Sequence, residues 1–145
     1  MRNRVSVLHG VNLDALDRRP KSVYGDLSLA ALERTIGGYA HELGLEVHFF
    51  QTNHEGAYVE AIHRAPDHAD ALILNPGAWT HYAWAIRDAV EIAGLPAAEV
   101  HLSDIEAREP FRRLSVIRDV CRSSTWGKGP EGYRDALTAL RDALA

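Results

Sequence analysis

The sequence predicts an α/β fold, an open five-stranded parallel sheet covered by helices on both faces. Two observations carry this expectation. Short apolar runs alternate along the chain with segments whose apolar residues return every three or four positions, as in strand–helix repeats. The runs are also continuously apolar, as strands buried on both faces require. At 145 residues the chain is long enough for one substantial core.

Val5-Ser6-Val7-Leu8 is the first strand. Leu29, Leu32, Ile36, Ala40 and Leu43 then recur at helical spacing, and Gly44 supplies a stop. Residues 45–51 read as the second strand, and residues 55–65, with Val59 and Ile62, as the second helix. Ala71-Leu72-Ile73-Leu74 is the third strand, followed by a helix with Ala83, Ile86, Val90 and Ala93 that stops at Gly94. Residues 98–102 form strand four, and a fifth, unusually polar at its end, is expected over residues 116–125. Tyr133, Leu137, Leu140 and Leu144 mark a closing helix. Five such units in this length fit a flavodoxin-like three-layer sandwich. No linker, repeat or low-complexity tract divides the chain, so residues 1–145 are expected to be a single domain. The segment 10–27 far exceeds the usual βα loop of about 2–6 residues and reads as a lid, carrying Arg18, Arg19 and Tyr24.

A formal net charge of −4 argues against nucleic acid or an anionic membrane as the main partner. Two local basic clusters, Arg18-Arg19-Lys21 and Arg108-Arg112-Arg113, suit a small anionic ligand; ordinary solvated charge is the alternative for each. The one cysteine, Cys121, excludes an internal disulfide, fits a reducing compartment and has no base beside it in sequence. No apolar stretch approaches the roughly 20 residues of a membrane span, and no signal peptide precedes the first strand, so a soluble cytoplasmic protein is expected.

Ligands of open α/β sheets bind at the carboxyl ends of the strands. Four consecutive strand ends deliver polar groups there: His9-Gly10-Val11-Asn12, Asn53-His54-Glu55-Gly56, Asn75-Pro76-Gly77-Ala78-Trp79-Thr80-His81 and Glu99-Val100-His101-Leu102-Ser103. Asn53 alone fits a helix N-cap, but capping does not explain all four. In a strand, Glu99, His101 and Ser103 share one face. A carboxylate beside an imidazole fixes its tautomer and favours its protonated form; a solvated edge strand is the alternative. His81 and Asp88 lie seven apart, two turns on one helix face, although Asp88 also fits a solvated surface carboxylate. Gly127-Lys128-Gly129-Pro130-Glu131-Gly132 matches a dinucleotide-binding pattern, but no strand follows to supply the ribose ligand, so it reads as a tight turn. The eight histidines include no H-E-x-x-H, and Pro66 separates His63 from His68, so no metal site is expected.

Taken together, these residues resemble the type II 3-dehydroquinate dehydratases over nearly the whole chain. The matching segments are Gly10-x-Asn12-Leu13, Arg19 five before Tyr24-Gly25, Gln51-x-Asn53-His54-Glu55-Gly56 and Asn75-Pro76-Gly77-Ala78-x-Thr80-His81. They continue through Arg87-Asp88-Ala89, Glu99-Val100-His101-x-Ser103, Ala107-Arg108-Glu109, Phe111-Arg112 and Gly127-x-Gly129-x-x-Gly132-Tyr133. The resemblance implies a flavodoxin-like catalytic domain that eliminates water in trans from 3-dehydroquinate, through an enolate, to give 3-dehydroshikimate. It implies no metal, no organic cofactor and no Schiff-base lysine. By position, Tyr24 is the implied base, Asn12 holds a water against the enolate, and His101, oriented by Glu99, is the acid. Asn75, Leu102 and Ser103 are implied carboxylate ligands; His81, Arg112 and Asp88 of the partner subunit are implied ligands of ring hydroxyls. The implied assembly is a dodecamer of trimers. A tyrosine is a weak base near neutral pH, and Arg19, with Arg108 as a possible second cation, is the natural group to favour its phenolate. A packed turn residue is the alternative role for Tyr24.

The departures gather around the site. His9 and Val11 stand where the family usually has Asn and Pro, and Arg19-Pro20-Lys21 replaces Arg-Glu-Pro. Tyr82 and Trp84 replace smaller residues, Asp104 and Glu106 replace Asn and His, and Cys121-Arg122-Ser123-Ser124 is more polar than the usual last strand. The last change weighs against the standard oligomer. Two other readings stand beside the first: the same elimination on a related ring acid, or a non-catalytic domain of this fold. The complete set of Asn12, Arg19, Tyr24, His81, Glu99, His101 and Arg112 favours an enzyme over a binding domain.

Overall fold

The computed structural model describes residues 1–24 and 26–145; Gly25 and the side chain of Tyr24 lie outside the described residues. Five strands, β1 (Arg4–His9), β2 (Glu46–Gln51), β3 (Ala71–Asn75), β4 (Ala97–His101) and β5 (Ser123–Trp126), pair in parallel in the order β2-β1-β3-β4-β5. The helices are α1 (Lys21–Tyr24), α2 (Leu29–Glu42), α3 (Glu55–Arg64), α4 (Trp84–Ala93) and α5 (Glu131–Leu144). This is the expected three-layer α/β architecture.

Strand alternation divides the core in two. Val5 and Val7 of β1 and Ala71 and Ile73 of β3 pack with Leu32 and Ile36 of α2 and Leu137 and Leu140 of α5. Leu8, Leu72 and Leu74 point the other way, onto Tyr58 and Ile62 of α3 and Ile86 and Val90 of α4. Local signals set the helix ends. The Ser28 hydroxyl accepts from the Ala31 N–H (3.1 Å) to start α2, and Gly94 ends α4 in the left-handed region at φ 68°.

The segment 10–27 carries local structure: a 3-10 stretch, Leu13–Arg18, whose Leu13 and Leu16 are buried, and then the short α1. Two expectations are corrected. The fifth strand is only Ser123–Trp126, because Val116 and Ile117 join the core as loop residues and a 3-10 turn, Arg118–Val120, follows. Helix α4 begins at Trp84, after Ala83 breaks the helical path at ψ 81°, so His81 belongs to the preceding 3-10 turn, Gly77–His81. His81 and Asp88 therefore do not share one helix face.

Candidate active site

β1 lies between β2 and β3, so the chain reverses direction across the sheet at β1/β3, and the crevice outside their ends is where such sheets bind ligands. A cavity of about 540 Å³ opens there. Asn12 and Arg19 line it from the segment after β1, Asn75 and His81 from that after β3, and His101, Leu102 and Ser103 from the end of β4. Arg108 and Arg112 come from the following loops. Nine sequence-expected residues thus meet in one cavity, with both basic clusters contributing.

Glu99 stands behind His101, with no solvent exposure. His101 Nε2–H donates to Glu99 Oε2 at 2.6 Å, which leaves Nδ1 as the second ring nitrogen. Burial alone would raise the Glu99 carboxyl, but hydrogen bonds from His101, Thr80 and Ser115, with the charge of His101, hold it below the ordinary carboxylate value. Thr80 Oγ1 donates to Oε2 at 2.6 Å, Ser115 Oγ lies 2.9 and 2.8 Å from Oε1 and Oε2, and Ser124 Oγ 3.4 Å from Oε1. Ser124 of β5 thereby has a reason to be polar, since it faces a buried carboxylate.

His81 Nδ1–H donates to the Leu114 carbonyl at 2.7 Å. Burial lowers its pKa against that bond, so neutral imidazole with an accepting Nε2 is favoured. Asn75 Oδ1 accepts from the Gly77 N–H (3.1 Å) and its Nδ2 donates to the Tyr133 hydroxyl (3.5 Å), leaving a second amide hydrogen for a ligand. Arg108 Nη1 donates to Ser103 Oγ at 3.4 Å, and Arg112 Nε to Glu109 Oε2 at 2.8 Å. The glycine-rich segment 127–132 is a turn: the Gly127 and Gly129 N–H groups donate to the Ser103 and Leu102 carbonyls at 3.0 and 3.2 Å, clipping the end of β4 in place.

Asn12 sits at φ 70°, a conformation asparagine tolerates better than most residues. Its N–H donates to Asn53 Oδ1 at 2.8 Å, while Asn53 Nδ2 donates to Asp14 at 3.0 Å. Asn53 is therefore not a helix cap. His54 precedes α3 without a side-chain cap, and Asn53 braces the turn that carries Asn12.

Asp88 is exposed on α4 and does not line the cavity, and the Tyr24 side chain lies outside the described residues. Thr80, Ser115 and Ser124 add to the site beyond the sequence-expected residues: Thr80 lies in the segment 75–81, and nothing in the spacing of Ser115 and Ser124 ties them to Glu99. Among the described residues no lysine lines the cavity, and no group of three or more His, Cys, Asp or Glu is arranged to hold a metal ion.

A family model described as Dehydroquinase class II matches residues 3–141. A 3-dehydroquinate dehydratase of Caldicellulosiruptor bescii is 46% identical over 142 residues, spanning 97% of this chain and 98% of that protein. One of Pelotomaculum thermopropionicum is 47% identical over 142 residues, spanning 98% and 96%. The crystal structure of the type II dehydroquinase from Butyrivibrio crossotus superposes with a TM-score of 0.91 at 38% identity, over 96% of this chain and 97% of that one.

Proposed function

This chain belongs to the class II dehydroquinase family, and from that premise we propose which of its residues carry out the reaction. The reaction is the elimination of water from 3-dehydroquinate to give 3-dehydroshikimate, a step of the shikimate pathway to aromatic amino acids. Residues 1–145 act as one catalytic domain.

The observation that carries the assignment of roles is the buried Glu99–His101 pair at the wall of a cavity that also gathers Arg19, Arg108 and Arg112. With Nε2 committed to Glu99, His101 uses Nδ1 to protonate the departing hydroxyl. Tyr24, the last residue of α1 and five after Arg19, takes the proton from the carbon next to the ketone, and Arg19 is the cation that favours its phenolate. The electrons pass to the ketone oxygen, and the enolate is held by a water on Asn12. They then return to expel the hydroxyl as water, so the proton count closes: one taken by Tyr24, one given by His101. Asn75, with Leu102 and Ser103, binds the substrate carboxylate. His81 accepts from a ring hydroxyl through Nε2, Arg112 donates to a second, and Asp88 of the partner subunit completes that wall. The assembly is a homo-oligomer of trimers, built to a dodecamer, acting in the cytoplasm on a small anionic ring without nucleic acid or membrane. Among the described residues no helix is long and apolar enough to cross a membrane.

The test is turnover of 3-dehydroquinate followed by the absorbance of the conjugated enone, beside a panel of related ring acids. Tyr24→Phe and His101→Ala are each expected to lose at least about 100-fold in kcat while substrate still binds. Near-normal turnover by either variant would remove that residue from its role, and an enone formed only from another ring acid would reassign the substrate.

A further inference from the structure

Glu99 is held by more than the imidazole it orients. Three hydroxyls, from Thr80, Ser115 and Ser124, converge on its two oxygens from separate segments of the chain. Each has one hydrogen to give, and a carboxylate surrounded by donors stays ionised even without solvent. An ionised Glu99 accepts from His101 Nε2–H and so keeps Nδ1 as the nitrogen for the acid step.

Ser115 differs from the other two in what it connects. It follows Leu114, whose carbonyl fixes His81, and lies three residues after Arg112; both His81 and Arg112 line the cavity. On its other side the Val116 N–H donates to the Thr80 carbonyl at 2.8 Å, and Ser115 Oγ accepts from the Ile117 N–H at 3.3 Å. Its hydroxyl also lies 3.3 Å from Thr80 Oγ1. One side chain therefore joins the segment that meets the substrate to the carboxylate behind the acid.

We propose that Ser115 is a positioning residue for the acid step, its hydroxyl holding Glu99 in line with His101 and tying that pair to the Arg112–Leu114 segment. This rests on His101 being the acid.

The test compares Ser115→Ala and Ser115→Thr, alone and combined with Glu99→Gln, with His101→Ala measured alongside. Ser115→Ala is expected to lower kcat about 10-fold to 100-fold with KM within about twofold, the scale of a small misalignment of reacting groups. Ser115→Thr, which keeps the hydroxyl, is expected to recover most of that loss. In the Glu99→Gln background Ser115→Ala is expected to add less than about twofold, because both changes act through one contact. Where Ser115→Ala folds poorly, Ser115→Cys replaces it, with an intermediate kcat loss expected. A raised KM with intact kcat would assign Ser115 to holding the substrate loop alone, and additive losses would separate it from Glu99; either overturns the proposal. Full turnover in His101→Ala would sink the acid assignment itself. An inactive His101→Ala beside a fully active Ser115→Ala would sink only the role of Ser115.

Discussion

His9 ends β1 with no solvent exposure, its ring stacked on Phe49 at 5.9 Å and its Nε2 3.1 Å from Glu33 Oε2. Burial pushes its pKa down from 6.5 to about 4 and raises that of Glu33, so at neutral pH the contact is a hydrogen bond from neutral imidazole, not an ion pair. The unfolded chain binds the His9 proton more readily than the folded one. This contribution to stability is therefore complete above pH 6.5 and is lost as pH falls towards 4. By pH 5 the loss is about 2 kcal/mol. Thermal melts at pH 7 and pH 5 are expected to show a smaller drop for His9→Asn than for the parent. An equal drop in both would mean that His9 takes up its proton without cost in the folded state. The sequence singled out His9 as a departure beside the site, and only burial shows that its consequence is stability rather than chemistry.

Gly10, after β1, and Gly77, after β3, show why two turns must approach at the mouth of the site. A Cβ on Gly10 would lie 2.4 Å from the Pro76 carbonyl oxygen, and one on Gly77, at φ +65°, 2.7 Å from the Val11 carbonyl oxygen. Backbone meets backbone, so no flexible side chain can give way. Gly10→Ala is expected to cost about 2 kcal/mol in denaturant unfolding and to reduce kcat/KM, because Asn12 and Asn75 ride on these turns. A variant as stable and active as the parent would show that the turns can part freely. The strand ends were legible in sequence because alternation fixes which residues share a face, and Glu99 and His101 need only that rule. The cage around Glu99 was not legible, because Thr80, Ser115 and Ser124 come from three segments that only tertiary packing brings together. The overlong fifth strand misled for a related reason: Val116 and Ile117 are buried in the core without a strand ladder, and Asp119 of the next turn pairs with Arg87 of α4.

At the scale of the molecule, the rim around His81 is unusually apolar for an exposed surface. Tyr82, Trp84, Phe111 and Leu114 are 59%, 61%, 56% and 58% exposed, and the Phe111 ring meets that of His81 edge-on at 5.8 Å. Asp88 lies one helical turn after Trp84 on α4, outside the cavity of its own chain. A neighbouring copy packed on this rim would cover the aromatic residues and supply its own Asp88 to the substrate wall, which gives the exposed apolar face and the outlying carboxylate one cause. Ser124 of β5 points at Glu99. Light scattering is expected to give a mass several times 16.0 kDa, in multiples of three chains. Trp84→Glu is expected to shift the mass downward and raise KM together. Asp88→Ala is expected to raise KM at least about fivefold with the mass unchanged, the loss of one charged hydrogen bond. If Trp84→Glu kept both the parent mass and the parent KM, this face would not be the interface, and Asp88 would have no route to the substrate across it.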